Sequence, residues 1–104
     1  MILRARPLYR STSASVGTGG TAFAIHGTST QPVTTHQLVV FTSGLAFVGI
    51  GRESSPPTPT ANNTSYQEAG ESRVYTLDGN HNFEKYLYVY AETGTITVRI
   101  SRFG

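Results

Sequence analysis

The sequence predicts an all-β chain: a single antiparallel β-sandwich, of jelly-roll or immunoglobulin-like type, with about seven strands and an extended N-terminal arm. Three observations predict it. Apolar residues alternate with polar ones or fall in short runs, the runs are rich in Val, Ile, Phe and Tyr, and Gly, Ser, Asn or Pro separates them. No stretch carries a helical period. With 104 residues there is room for one domain and one core.

Taken in order, the first apolar stretch, 2–9, predicts a strand-like arm in which Ile2, Leu3, Leu8 and Tyr9 interleave with Arg4, Arg6 and Arg10. Such an arm can lay apolar groups into a groove while guanidinium forks meet carboxylates, and Pro7 confines it to an edge. Residues 10–21, rich in Ser and Gly, read as a flexible tether. The expected division is therefore an arm and tether over 1–21 and a sandwich over 22–104. Within the sandwich, strands are expected near 22–26, 37–42, 45–51, 72–77, 83–91 and 95–103. A Pro-rich loop over about 52–71, containing Pro56, Pro57 and Pro59, is expected to face solvent.

Side-chain parity suggests two hairpins. Around Thr93-Gly94, Ala91, Val89 and Leu87 would lie opposite Ile96, Val98 and Ile100. The other face would then be a stripe of Tyr86, Tyr88 and Tyr90, with Arg99 opposite Tyr88. Around Ser43-Gly44, Val39 would meet Val48 and Phe41 would meet Ala46, leaving both faces apolar. Tyr and Arg are enriched where proteins touch, so Tyr86, Tyr88, Tyr90 and Arg99 are candidate partner-binding residues, together with Leu3, Arg4, Arg6, Leu8 and Tyr9 of the arm. The stripe has a plainer reading as a second buried face beneath the arm or the long loop.

Charged residues make up 13% of the chain, half the usual ~25%. Eight Lys and Arg against six acids leave a net charge of +2, too small a field to gather nucleic acid. The absence of Cys removes disulfides, thiolate metal sites and a cysteine nucleophile. No signal-peptide core or apolar span occurs, so neither a membrane role nor signal-peptide export is expected.

Catalytic chemistry finds no foothold. There is no G-x-S-x-G elbow, His26, His36 and His81 are scattered, and the acids form no pair with cleft spacing. Asp78, Asn80 and Asn82 alternate as calcium ligands would, but Phe83 stands where the sharp-turn Gly belongs and Val89 where the closing acid belongs. A turn is the simpler reading. Asn62-Asn63-Thr64 matches a glycosylation triplet without a secretory signal. No enzyme, cofactor or metal is expected.

Residues 36–103, with Gln37-Leu38-Val39-Val40-Phe41, Ala46-Phe47-Val48-Gly49-Ile50-Gly51, the Pro-rich excursion, Tyr75-Thr76-Leu77, Tyr86-Leu87-Tyr88-Val89-Tyr90 and Gly94-Thr95-Ile96-Thr97-Val98, resemble the small β-sandwich structural proteins of tailed bacteriophages, among them head decoration or cement proteins. The resemblance implies a non-enzymatic virion component, made in the host cytoplasm, that binds the major capsid protein on the capsid exterior, reinforces the mature head and associates with its own copies. The alternatives are a carbohydrate-binding module or fibre-tip adhesin using tyrosines as glycan platforms, and a tail or neck connector subunit.

Overall fold

The computed structural model describes residues 8–26, 35–60, 64–77 and 85–104. They form eight strands and no helix: β1 (Leu8–Val16), β2 (Thr21–Ala24), β3 (Gln37–Thr42), β4 (Ala46–Gly51), β5 (Ser65–Gln67), β6 (Ser72–Thr76), β7 (Tyr86–Ala91) and β8 (Ile96–Phe103). Two four-stranded antiparallel sheets run in the orders β1-β8-β3-β6 and β2-β7-β4-β5. Pairing the first strand with the last, the second with the seventh, and so inward to β4 with β5, is the order of a rolled antiparallel ribbon. The sandwich is thus a jelly roll rather than immunoglobulin-like.

Inward residues alternate along every long strand. The sheet containing β8 contributes Val16, Leu38, Val40, Ile96, Val98 and Ile100; the other contributes Phe23, Ala46, Val48, Leu87, Val89 and Ala91, all buried in one cluster. Two buried polar side chains cross between the layers. Arg102, 2% exposed, donates from Nε to the Ala24 carbonyl at 2.7 Å and from a terminal nitrogen to Thr12 Oγ1 at 2.8 Å. Gln67, fully buried, donates from Nε2 to the Val40 carbonyl at 2.6 Å, and its Oε1 accepts from the Tyr75 hydroxyl at 3.2 Å. Each satisfies polar atoms that would otherwise be costly in an apolar interior.

Three sequence expectations are corrected here. Neither hairpin exists: β3 and β4 lie in different sheets, as do β7 and β8. Val89 pairs with Val48 and Thr21, while Val98 pairs with Thr42 and Ala14. For β7 and β8 parity demands only that the apolar sets of both strands point to the core, and two strands facing each other across the core meet that demand as well as two neighbours in a sheet. Around Ser43-Gly44 the grouping of faces changes too, because Ala46 and Val48 enter the core with Leu38 and Val40 while Val39 and Phe41 lie on the outer face. The tether expected over 10–21 is replaced over 10–16, leaving only 17–20 as a turn, because Arg10–Val16 pair residue by residue with Ile96–Arg102. Its small polar residues alternate with Thr12, Ala14 and Val16, enough to form a sheet edge. Finally, the 52–71 stretch is interrupted by the short β5, which pairs with β4 through Ala46 and Gln67. Residues 2–7, the turn expected over 78–82 with its His81, and Asn62-Asn63 lie outside the described residues.

Candidate functional site

The tyrosines share one face as expected, the outer face of the β2-β7-β4-β5 sheet. That face is covered. Tyr88 is 4% and Tyr90 1% exposed, and Tyr86 is half-buried. The Tyr88 hydroxyl donates to the Glu53 carbonyl at 2.7 Å and the Tyr90 hydroxyl to the Pro57 carbonyl at 2.6 Å. The Pro-rich segment therefore lies across the stripe, its prolines offering carbonyls but no N–H groups, while the phenols supply the matching donors. Most of the segment faces water on its other side, as expected, with Pro56 half-buried.

Beneath this cover Gly51 at the end of β4 and Gly20 in the turn before β2 leave room for the rings. A Cβ on Gly51 would come within 2.9 Å of the Tyr88 ring, and one on Gly20 would collide with the Tyr90 ring. Burial raises the Tyr90 phenol above its ordinary value, with the neighbouring Tyr88 adding to the shift. Because the folded-state value is the higher one, this contribution to stability is complete below the ordinary tyrosine pKa near 10 and is lost as pH rises towards the folded value. An alkaline titration is expected to show tyrosinate absorbance from the buried rings appearing together with loss of near-ultraviolet dichroism. Free ionisation of every tyrosine in an intact fold would contradict the buried stripe.

Arg99 does not stand opposite Tyr88. It pairs with Phe41 and Ser13 in the other sheet, and its guanidinium lies 5.0 Å from the centre of the Phe41 ring, a cation–π distance. This outer face of the β1-β8-β3-β6 sheet carries rows read from the register: Val74, Val39, Ser101, Ser11, and beside them Ser72, Phe41, Arg99, Ser13. Val74 is 55% exposed and Leu8, at the corner beside Phe103, 56%. Here Val74 and the Arg99 cation are exposed, with Val39 and Phe41 half-buried beside them.

Of the arm residues, Leu3, Arg4 and Arg6 lie outside the described residues, whereas Leu8 and Tyr9 belong to the start of β1, where a register shift marks a bulge. Arg10 is part of the fold, donating to the carbonyls of Ala24 at 3.4 Å and His26 at 3.3 Å. Removing residues 2–10 would therefore cut into the sandwich as well as the arm.

Two features differ from what the sequence places. One is the outer face of β3 and β6: the second apolar face of 37–42 is expected, but opposite 45–51 rather than between β6 and β8, where Val39 and Phe41 are half-buried and Val74 is exposed. The other is a cleft between the Pro-rich segment and β5, lined by Phe47, Pro59, Thr60, Thr64 and Tyr66, where the Phe47 and Tyr66 rings meet at 4.8 Å and 47°. Among the described residues no group of three or more His, Asp or Glu side chains is placed to hold a metal, and no helix is long and apolar enough to cross a membrane. Comparison with protein-family models, curated proteins and solved structures gives no match.

Proposed function

We propose that this protein is a non-enzymatic structural subunit of a phage particle: a decoration or cement protein that binds the major capsid protein on the exterior of the mature head and associates with its own copies. The observation that carries the reading is the outer face of the β1-β8-β3-β6 sheet, where Val39, Phe41 and Val74 stand among hydroxyls beside Arg99. Aromatic and Arg groups in an apolar, weakly charged patch fit contact with another polypeptide. The jelly roll is an architecture of viral capsid domains and of lectins, and supports the reading only by analogy. A subunit that binds the closed shell and not its parts stabilises it by mass action, by about 2.7 kcal/mol per copy at a hundredfold excess over Kd.

Val74→Glu places a charge on the exposed patch while leaving the core untouched. In cosedimentation with expanded phage heads, this variant is expected to need at least ~10-fold more protein for half occupancy, the effect of about 1.4 kcal/mol. Unchanged occupancy would remove the sheet face from the account.

The Phe47–Tyr66 cleft favours a second reading, a glycan-binding adhesin. Tyr66 is 57% exposed, and an aromatic face flanked by threonines suits a neutral sugar ring. On that reading Tyr66→Ala abolishes saturable binding of soluble glycan, and shells are not required.

A further inference from the structure

The jelly roll leaves four strand edges, and they are not alike. β5 has 3 residues, β2 has 4 and β6 has 5, the last bearing the Arg73–Glu71 ion pair. β1 has 9, and from Ser11 to Val16 it contains neither a charge nor a proline. Among the described residues no strand pairs with its outer edge. Free edges of this length are normally blunted by Lys, Pro or an inward charge, because their N–H and C=O groups invite another strand.

We infer that β1 is a self-pairing edge: two copies join β1 to β1, antiparallel about a two-fold axis through Ser13, making one continuous eight-stranded sheet across the dimer. The inference names the contact for the self-association proposed above and rests on that part of the reading. The register follows from the strand itself. The bulge between Leu8 and Arg10 ends the regular ladder, so the pairable stretch is Arg10–Val16, with Ser13 at its midpoint. A two-fold axis there sets Arg10 against Val16, Ser11 against Ser15 and Thr12 against Ala14. No like charges meet. Ser11, Ser13 and Ser15, all exposed and on the outer face, become a ribbon of facing hydroxyls, while the core residues keep their places.

The absence of native Cys makes the contact directly testable. Residues opposite each other on antiparallel strands have Cα atoms about 4.5–5.5 Å apart, within disulfide range. A single Ser13→Cys chain is expected to cross-link nearly completely under mild oxidation, whereas Thr93→Cys, exposed on the 92–95 loop, is expected to stay uncross-linked at the same concentration. By light scattering the unmodified protein is expected at twice the 11.2 kDa chain mass. The triple variant S11K/S13K/S15K, which opposes lysines in any register that keeps the face, is expected at the single-chain mass with unchanged circular dichroism. An unmodified protein that is monomeric, a triple-lysine variant that is still dimeric, or equal cross-linking of both cysteine variants would overturn the inference. Cosedimentation of the unmodified protein with phage heads separates the two claims. A monomer that coats heads overturns the edge pairing alone, and a dimer that ignores them supports the pairing and removes the capsid assignment.

Discussion

Arg102→Ala is expected to lower the stability of the fold by about 4 kcal/mol, a large share of the 5–15 kcal/mol available to a domain of this size. Two losses combine. Removing a long side chain that is 2% exposed leaves a cavity between the sheets, and the Ala24 carbonyl loses a part-buried 2.7 Å charge-assisted hydrogen bond. Arg102→Met separates the two, because it refills most of the volume and restores no donor; its expected cost is about 1–2 kcal/mol. Urea unfolding of the three proteins measures both differences. If Arg102→Ala falls within about 0.5 kcal/mol of the parent, as surface substitutions usually do, the guanidinium does not join the layers.

Gly20→Ala is expected to cost about 3 kcal/mol, the sum of left-handed backbone strain and a forced shift of the Tyr90 ring. Gly20 has φ +84° and its missing Cβ would occupy the space of the ring, which is itself held by its bond to Pro57. Gly70 provides the control. Its φ of +77° is similar, but a Cβ there meets nothing within 4 Å, so Gly70→Ala should lose only the backbone share of about 1–2 kcal/mol. Equal melting points for the two variants would mean that Tyr90 is not packed against the β1–β2 turn.

Which residues point into the core was legible because side-chain direction alternates along a single strand and needs no knowledge of the neighbour. Leu87, Val89 and Ala91, and Ile96, Val98 and Ile100 follow that rule, whereas 37–42 is apolar on both faces and alternation alone did not say that Leu38 and Val40, not Val39 and Phe41, turn inward. Arg102 continues the β8 phase and could have been placed inside by the same count; its charge argues the other way until the Ala24 and Thr12 acceptors are known. Strand partners were not legible. In a rolled ribbon nearly every connection crosses between sheets, and the short loops at Ser43-Gly44 and Thr93-Gly94 resemble hairpin turns locally. The three tyrosines were correctly grouped on one face, and the long loop was one of the two covers read for it; the choice between loop and arm rests on carbonyls of Glu53 and Pro57 more than thirty residues away. β1 escaped notice because Ser and Gly signal flexibility by composition, whereas its order comes from the β8 ladder.

These corrections move the proposed contact surface from the tyrosine stripe to the Val39–Phe41–Val74 face and the β1 edge. Buried phenols bound to the protein's own loop no longer serve a partner, while Val74 beside the half-buried Val39 and Phe41, and a strand edge left open among the described residues, can. The central claim is that this fold works by repeated contact on a shell. It is tested most directly by counting copies of the chain in purified phage particles by quantitative mass spectrometry. The account expects a copy number in fixed proportion to the major capsid protein. Absence from the particle, or the handful of copies held by a neck or tail ring, would contradict it.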